Sequence, residues 1–170
     1  MIAGYVIAGT ESSGTSMEWA MSELLNNPPV LKKLREELER VVGMGRMVTE
    51  SDFPSLVYLQ AVVKETLRLH PPGPLAAPHL SVEACNVLGY EIPQNTRVLL
   101  NLWAIERNSK SWEDAERFVP ERFMQGDSID EKHQNFEWIP LGAGRRGCPG
   151  EQLGMLVIEL AVAQLVHCFD

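Results

Sequence analysis

The sequence predicts a mainly α-helical fold with a small β component, and three observations carry that prediction. Apolar residues recur at helical spacing in four segments, near residues 2–26, 28–43, 56–70 and 149–169. After Pro71 and Pro72 the pattern changes, and residues 75–102 are rich in Pro, Gly and β-formers. Residues 108–147 show no regular period, with room for one or two short helices. An irregular stretch of that length is uncommon unless it is functional.

The first helix is apolar on nearly every side through Ile7, the pattern of a helix buried at the centre of a larger protein. Asn27 stops it, and Pro28 and Pro29 open the next, proline being pre-organised for the first helical position. Leu31, Leu34, Leu38 and Val41 lie beside Lys32, Lys33, Glu36 and Glu37, which predicts an amphipathic surface helix ending at Gly43. A turn over 49–54 leads to the third helix, which ends at His70 because proline disfavours helix in the residue before it. Short strands are expected at 87–90 and 96–100, around a turn near Pro93 and Asn95. The final helix is expected to begin at Pro149.

With 45% hydrophobic and 22% charged residues, the composition excludes a disordered or collagenous chain. The net charge of −8 argues against non-specific nucleic-acid binding and leaves Arg145 and Arg146 as a local basic patch. Cys85, Cys148 and Cys168 are odd in number and form no C-x-x-C pair, so a disulfide scaffold or zinc finger is not expected and a reducing compartment is. The apolar N-terminus has no basic flank, is interrupted by Glu11 and falls short of the ~20 residues needed to span a bilayer. The C-terminal apolar run carries Glu159. Both are expected to be buried helices, with no membrane anchor in the chain.

The most informative stretch is residues 138–150, W-I-P-L-G-A-G-R-R-G-C-P-G. Glycines 142, 144, 147 and 150 strip the backbone of side chains, so a flat or bulky group can approach it closely. Cys148 sits where a helix is expected to open, and the positive end of that helix would stabilise a thiolate. Such a thiolate suits a nucleophile or an axial metal ligand. A small buried hydrophobe is the other reading of Cys148. Gly142, Gly144 and Gly147 also spell G-x-G-x-x-G, but Pro140 spoils the preceding strand that a dinucleotide site requires.

The 138–150 stretch resembles the haem-binding loop of the cytochrome P450 family, F-x-x-G-x-R-x-C-x-G, matched at Gly144, Arg146, Cys148 and Gly150, with Leu141 in place of phenylalanine. The resemblance implies that Cys148 is the axial ligand of haem b, a ligation that favours O–O cleavage. It further implies that Arg146 binds a haem propionate, for which the guanidinium fork is suited, and that His79 contacts the second. The departure at Leu141 changes the packing under the thiolate, which helps tune the iron.

Other landmarks of the family follow in order. Glu65 and Arg68 form E-x-x-R on the third helix, beside Tyr58, Ala61 and Leu69, where a charged pair would be buried and would need a further partner. Residues 120–123 match the family's P-E-R-F segment, whose arginine, here Arg122, completes a Glu, Arg, Arg cluster. Trp112, Asp114 and Phe118 fit the approach to it. Residues 8–13, A-G-T-E-S-S, are similar to the oxygen-activation motif A/G-G-x-D/E-T-T/S, with Ala8 and Gly9 beside the haem and Glu11 and Ser12 relaying protons. Ser12 replaces the usual threonine and lacks the methyl that restricts its rotamer. Alternatively, Ser12 and Ser13 simply bond back to helix carbonyls. Tyr5, Ala8, Leu75, Ala76 and Ala77 would line a pocket for an apolar substrate.

The resemblance runs from the oxygen-activation helix to the helix after the cysteine, a partial cytochrome P450 fold of the plant microsomal type. Family chains are longer, so residues 1–170 are expected to be one portion of a longer catalytic domain, and a helix beginning at Met1 without a cap agrees. The implied parent is a monooxygenase on the cytosolic face of the endoplasmic reticulum membrane. It would insert one oxygen atom from O2 into an apolar small molecule, with electrons from NADPH–cytochrome P450 reductase. Two alternatives stand beside it: a truncated, catalytically silent haem-binding or interaction fragment, and a cysteine-nucleophile enzyme activated by its helix. The chain alone is expected to expose apolar surface around its first and last helices.

Overall fold

Four helices, α1 (Ile2–Asn26), α2 (Pro28–Val41), α3 (Val57–Leu69) and α5 (Glu151–Cys168), frame the computed structural model, which describes residues 2–124 and 136–169. Between α3 and α5 lie strands β1 (His79–Leu80), β2 (Cys85–Val87), β3 (Tyr90–Ile92) and β4 (Arg97–Val98), then the short helix α4 (Leu102–Ile105). Single 3₁₀ turns occupy Glu50–Ser55, Pro120–Phe123 and Gly144–Arg146. Part of the irregular stretch expected over 108–147, residues 125–135, lies outside the described residues.

The long helices meet in one apolar core. Ala20 and Leu24 come from α1, Leu34 and Leu38 from α2, Leu59, Val62, Val63 and Leu67 from α3, and Ile158, Val162, Ala163 and Val166 from α5. The C-terminal half of α1 supplies its share of this core, and Trp19 there stacks on the His70 ring at 3.8 Å while Glu23 pairs with His70 Nε2 at 2.7 Å. The N-terminal half of α1 departs from the expectation of burial on nearly every side: Val6 is 61% and Ile7 59% exposed. Its apolar sides have no cover among the described residues, as expected for the chain alone.

α2 is amphipathic, but its polar side is not wholly a solvent face. Glu37 is buried, and its carboxylate accepts from the main-chain amides of Tyr58 at 2.8 Å and Leu59 at 2.9 Å. These are orphan donors of the first turn of α3, which has no side-chain cap of its own.

The strands are shorter and differently placed than expected. Residues 87–90 are not one strand but the tip of a hairpin: Val87 ends β2 and Tyr90, opposite it, opens the antiparallel β3, with Leu88 and Gly89 between them at φ values of 51° and 89°. Two left-handed residues match the twist of a tight hairpin, and that geometry overrides the β-propensity of the run. Of the 96–100 segment only Arg97–Val98 forms a strand, pairing with β1 in the register His79 to Val98. The turn near Pro93 and Asn95 is where it was expected, with Asn95 at φ 62°. The last helix starts at Glu151 and not at Pro149, capped by Gly150.

Candidate functional site

The loop before α5 is pinned by its own main chain. Trp138 and Ile139 are buried at its start. The Gly142 amide donates to the Ile139 carbonyl at 2.8 Å, the Gly147 amide to the Gly144 carbonyl at 3.1 Å, and the Cys148 amide to the Leu141 carbonyl at 2.9 Å. Gly142 and Gly144 sit at φ 77° and 68°, where a side chain would be strained. A Cβ on Gly144 would meet nothing within 4 Å, whereas one on Gly150 would lie 3.9 Å from Cys148 Sγ. These contacts turn the chain back on itself and leave the Cys148 thiol exposed. Because α5 opens at Glu151 with Gly150 at its N-cap, and not at Pro149, Cys148 stands two residues further from the helix end than expected; the Glu151 amide reaches back to the Cys148 carbonyl at 3.4 Å.

Two clefts meet at this cysteine. The first, of about 1140 Å³, lies between the loop and residues 73–82, and brings Arg145, Arg146 and Cys148 together with His79, Leu75, Ala76 and Ala77. Pairing of β1 with β4 holds His79, and the Ala76 amide bonds the Leu100 carbonyl at 3.0 Å. The second cleft, of about 880 Å³, lies between α1 and the start of α5 and is lined by Ala8, Gly9, Ser12, Ser13, Cys148, Gly150 and Gly154 among others. Leu141, Cys148 and Pro149 belong to both. Ser12 Oγ donates back to the Ala8 carbonyl at 2.6 Å, the local alternative expected of a helix serine. Glu11 is exposed and is not among the lining residues. The Tyr5 side chain lies outside the described residues.

Behind the loop, Glu65, Arg68 and Arg122 form one cluster. Arg68 is fully buried and clasps the Glu65 carboxylate with two bonds of 2.7 and 2.9 Å. Its remaining donors reach the carbonyls of Glu106 at 2.7 Å, Ala115 at 2.8 Å and Arg117 at 3.2 Å. Arg122 Nε bonds Glu65 Oε1 at 3.1 Å, and the Val119 amide bonds the same oxygen at 2.8 Å. Both guanidinium groups lie over Trp112, at 5.1 Å for Arg68 and 5.7 Å for Arg122. Asp114 pairs with Arg117 at 3.0 Å on the surface, and Phe118 is buried.

Sequence reasoning missed Glu106. It is fully buried at the end of α4, its Oε1 accepts from the Ile139 amide at 2.5 Å, and its Oε2 has no partner among the described residues. Burial pushes its carboxyl up to about 8, against the opposing pulls of the Ile139 amide, Arg68 and Arg107. The one signal for it is a lone acid closing the apolar run L-W-A-I.

The sequence matches the family model described as Cytochrome P450 over residues 2–170. The chain belongs to the cytochrome P450 family. It is 48% identical over 169 residues to a beta-amyrin 24-hydroxylase of Glycine max, covering 96% of this chain and 33% of that protein. It is 52% identical over 168 residues to a trimethyltridecatetraene synthase of Zea mays, covering 96% of this chain and 30% of that protein. A solved zebrafish cytochrome P450, in a structure with progesterone, superposes with a TM-score of 0.87 at 35% identity, covering 96% of this chain and 37% of that one. The mainly α fold with small sheets is therefore the cytochrome P450 fold in part, and the chain spans about a third of the length of these relatives.

Cytochrome P450 membership implies a haem cofactor, and the residues present fit one. An exposed thiol stands between two clefts, as an axial ligand must. Gly142 and Gly147 line the first cleft and Gly150 the second, while Gly144 lines neither; two guanidinium groups and an imidazole border an otherwise apolar cavity, which suits a flat apolar group carrying carboxylates.

Proposed function

We propose that residues 1–170 are the haem-binding portion of a longer catalytic domain, and that the whole protein is a haem-thiolate monooxygenase of the plant microsomal type. The observation that carries this reading is the exposed Cys148 thiol at the junction of two clefts, on a loop held by main-chain bonds. Cys148 would be the axial ligand, in its thiolate form. Arg146 and His79 would hold the propionates of haem b, and Gly144 and Gly150 would keep side chains off the loop that carries the ligand. When bound, thiolate-ligated haem supplies the dioxygen activation by which one oxygen atom enters the substrate, with electrons from NADPH–cytochrome P450 reductase.

The chain's own residues would do the rest. Ala8 and Gly9 leave room on the α1 side for dioxygen and substrate. Ser12 Oγ donates to the Ala8 carbonyl; to relay a proton that Glu11 draws from solvent, its hydroxyl would release that carbonyl and turn to donate into the cleft. Leu75, Ala76 and Ala77 would frame an apolar pocket that excludes water and selects an apolar small molecule. A relative named as a beta-amyrin 24-hydroxylase supports oxygen insertion. The protein would work on the cytosolic face of the endoplasmic reticulum membrane. Among the described residues one helix, α5, is long and apolar enough to cross a bilayer, but it buries Ile158, Val162, Ala163 and Val166 in the core, which favours a packing role.

The test is a carbon monoxide difference spectrum of the reduced, haem-supplied protein and of Cys148→Ser. A strongly red-shifted Soret band lost in the variant is the expected result. Haem uptake with the same spectrum in both would overturn thiolate ligation by Cys148. The exposure of Val6 and Ile7 favours a second reading, a chain that binds haem but is catalytically silent alone. Turnover of an apolar substrate by residues 1–170 with the reductase would overturn that one.

A further inference from the structure

The loop that carries Cys148 is closed by its own hydrogen bonds, but those bonds do not say what holds it against the rest of the protein. The path outward runs through Glu106. The Cys148 amide bonds the Leu141 carbonyl, and the Gly142 amide bonds the Ile139 carbonyl, so the loop position depends on Ile139. The Ile139 amide in turn donates to Glu106 Oε1, while the main-chain carbonyl of Glu106 accepts from Arg68 Nη1. One residue therefore joins the thiol loop, through its side chain, to the Glu65, Arg68 and Arg122 cluster, through its backbone.

A space-filling role does not account for this side chain. Glu106 is fully buried, and its second oxygen has no partner among the described residues, so the carboxyl group pays a desolvation penalty that a leucine of similar size would avoid. What the carboxyl supplies in return is an acceptor for a buried amide that would otherwise be orphaned. The charged groups that bear on it are Glu65 and Arg68 of α3 and its neighbour Arg107.

We propose that Glu106 is a positioning residue: its buried carboxyl group holds the Ile139 amide and so ties the Cys148 loop to the Glu65, Arg68 and Arg122 cluster, fixing where the thiol stands in the cleft. The consequence for haem ligation rests on the proposed function; the tie itself does not.

The experiment is amide hydrogen exchange across residues 138–148 of the haem-supplied protein, wild type against Glu106→Leu and Glu106→Gln, with the carbon monoxide difference spectrum of each sample. In the wild type the Ile139 amide is expected to exchange as slowly as the core amides of α3. An Ile139 amide that exchanges like an exposed loop overturns the inference without any variant, which covers the case of a Glu106→Leu protein that does not fold. In Glu106→Leu the loop amides are expected to exchange on the order of 10-fold faster while those of α3 hold, and the thiolate-type Soret band should give way in part to a band at shorter wavelength. Glu106→Gln keeps a carbonyl acceptor and is expected to return the loop to within about 3-fold of the wild type. Equal acceleration in α3 and the loop, or a glutamine variant as loose as the leucine one, overturns the inference. A wild type lacking the thiolate band would remove the proposed function, and the exchange rates would still decide the tie.

Discussion

Arg68→Ala leaves the Glu65 carboxylate buried with one guanidinium gone and strands the carbonyls of Glu106, Ala115 and Arg117. Breaking a buried pair from one side costs roughly 3–5 kcal/mol, so urea unfolding of this variant is expected to show a large loss of stability or no folded protein. Arg122→Ala removes a mostly buried arm of the same cluster but leaves Arg68 clasping Glu65, so it should cost less. At Glu106 the prediction concerns pH. Its carboxyl is pushed up to about 8 from an ordinary value of 4.5, so the folded protein holds this proton more tightly than the unfolded chain does. The associated stability is fully present below the ordinary value and is lost as pH rises through about 8. Because glutamine does not titrate, the urea midpoint of the wild type should fall relative to Glu106→Gln between pH 5 and pH 9, and parallel midpoints would contradict the shift.

At the scale of elements, Glu37 acts as the missing cap of α3. Glu37→Ala orphans the amides of Tyr58 and Leu59 and should destabilise by about 1–3 kcal/mol, measured by chemical unfolding. Glu37→Gln should recover part of that loss. The comparison shows what periodicity reveals and what it does not. The four long helices were legible from apolar spacing and from Pro28, Pro71 and Pro72, because these signals are local. The partner of Glu65 and Arg68 was legible only through the resemblance, since Arg122 lies far along the chain. Glu37 and Glu106 were not legible: a glutamate beside Glu36 on a charged helix face, or before Arg107 at the end of an apolar run, reads as solvent-facing until the amides of Tyr58 and Ile139 arrive from distant segments. The hairpin was misplaced by a few residues because Leu88, a poor left-handed residue on steric grounds, occupies a turn position where glycine or asparagine is the usual signal.

For the whole molecule, the core formed by α1, α2, α3 and α5 covers one end of α1 and leaves the other bare. Val6 and Ile7 on α1, and Leu153 at 69% exposed on α5, leave apolar surface around the first and last helices. The isolated chain is expected to bind an apolar dye and to self-associate in light scattering, and a sharp cooperative melt of a dispersed monomer would contradict this.

The main-chain bonds around Cys148 divide labour between two kinds of atom. Amides and carbonyls, which every residue but proline supplies in full, set where the sulfur sits; side chains such as Leu141, which lines both clefts with it, set what surrounds it. A leucine at position 141 therefore leaves the sulfur where the main chain puts it, so that in this loop aim and temperament are set separately.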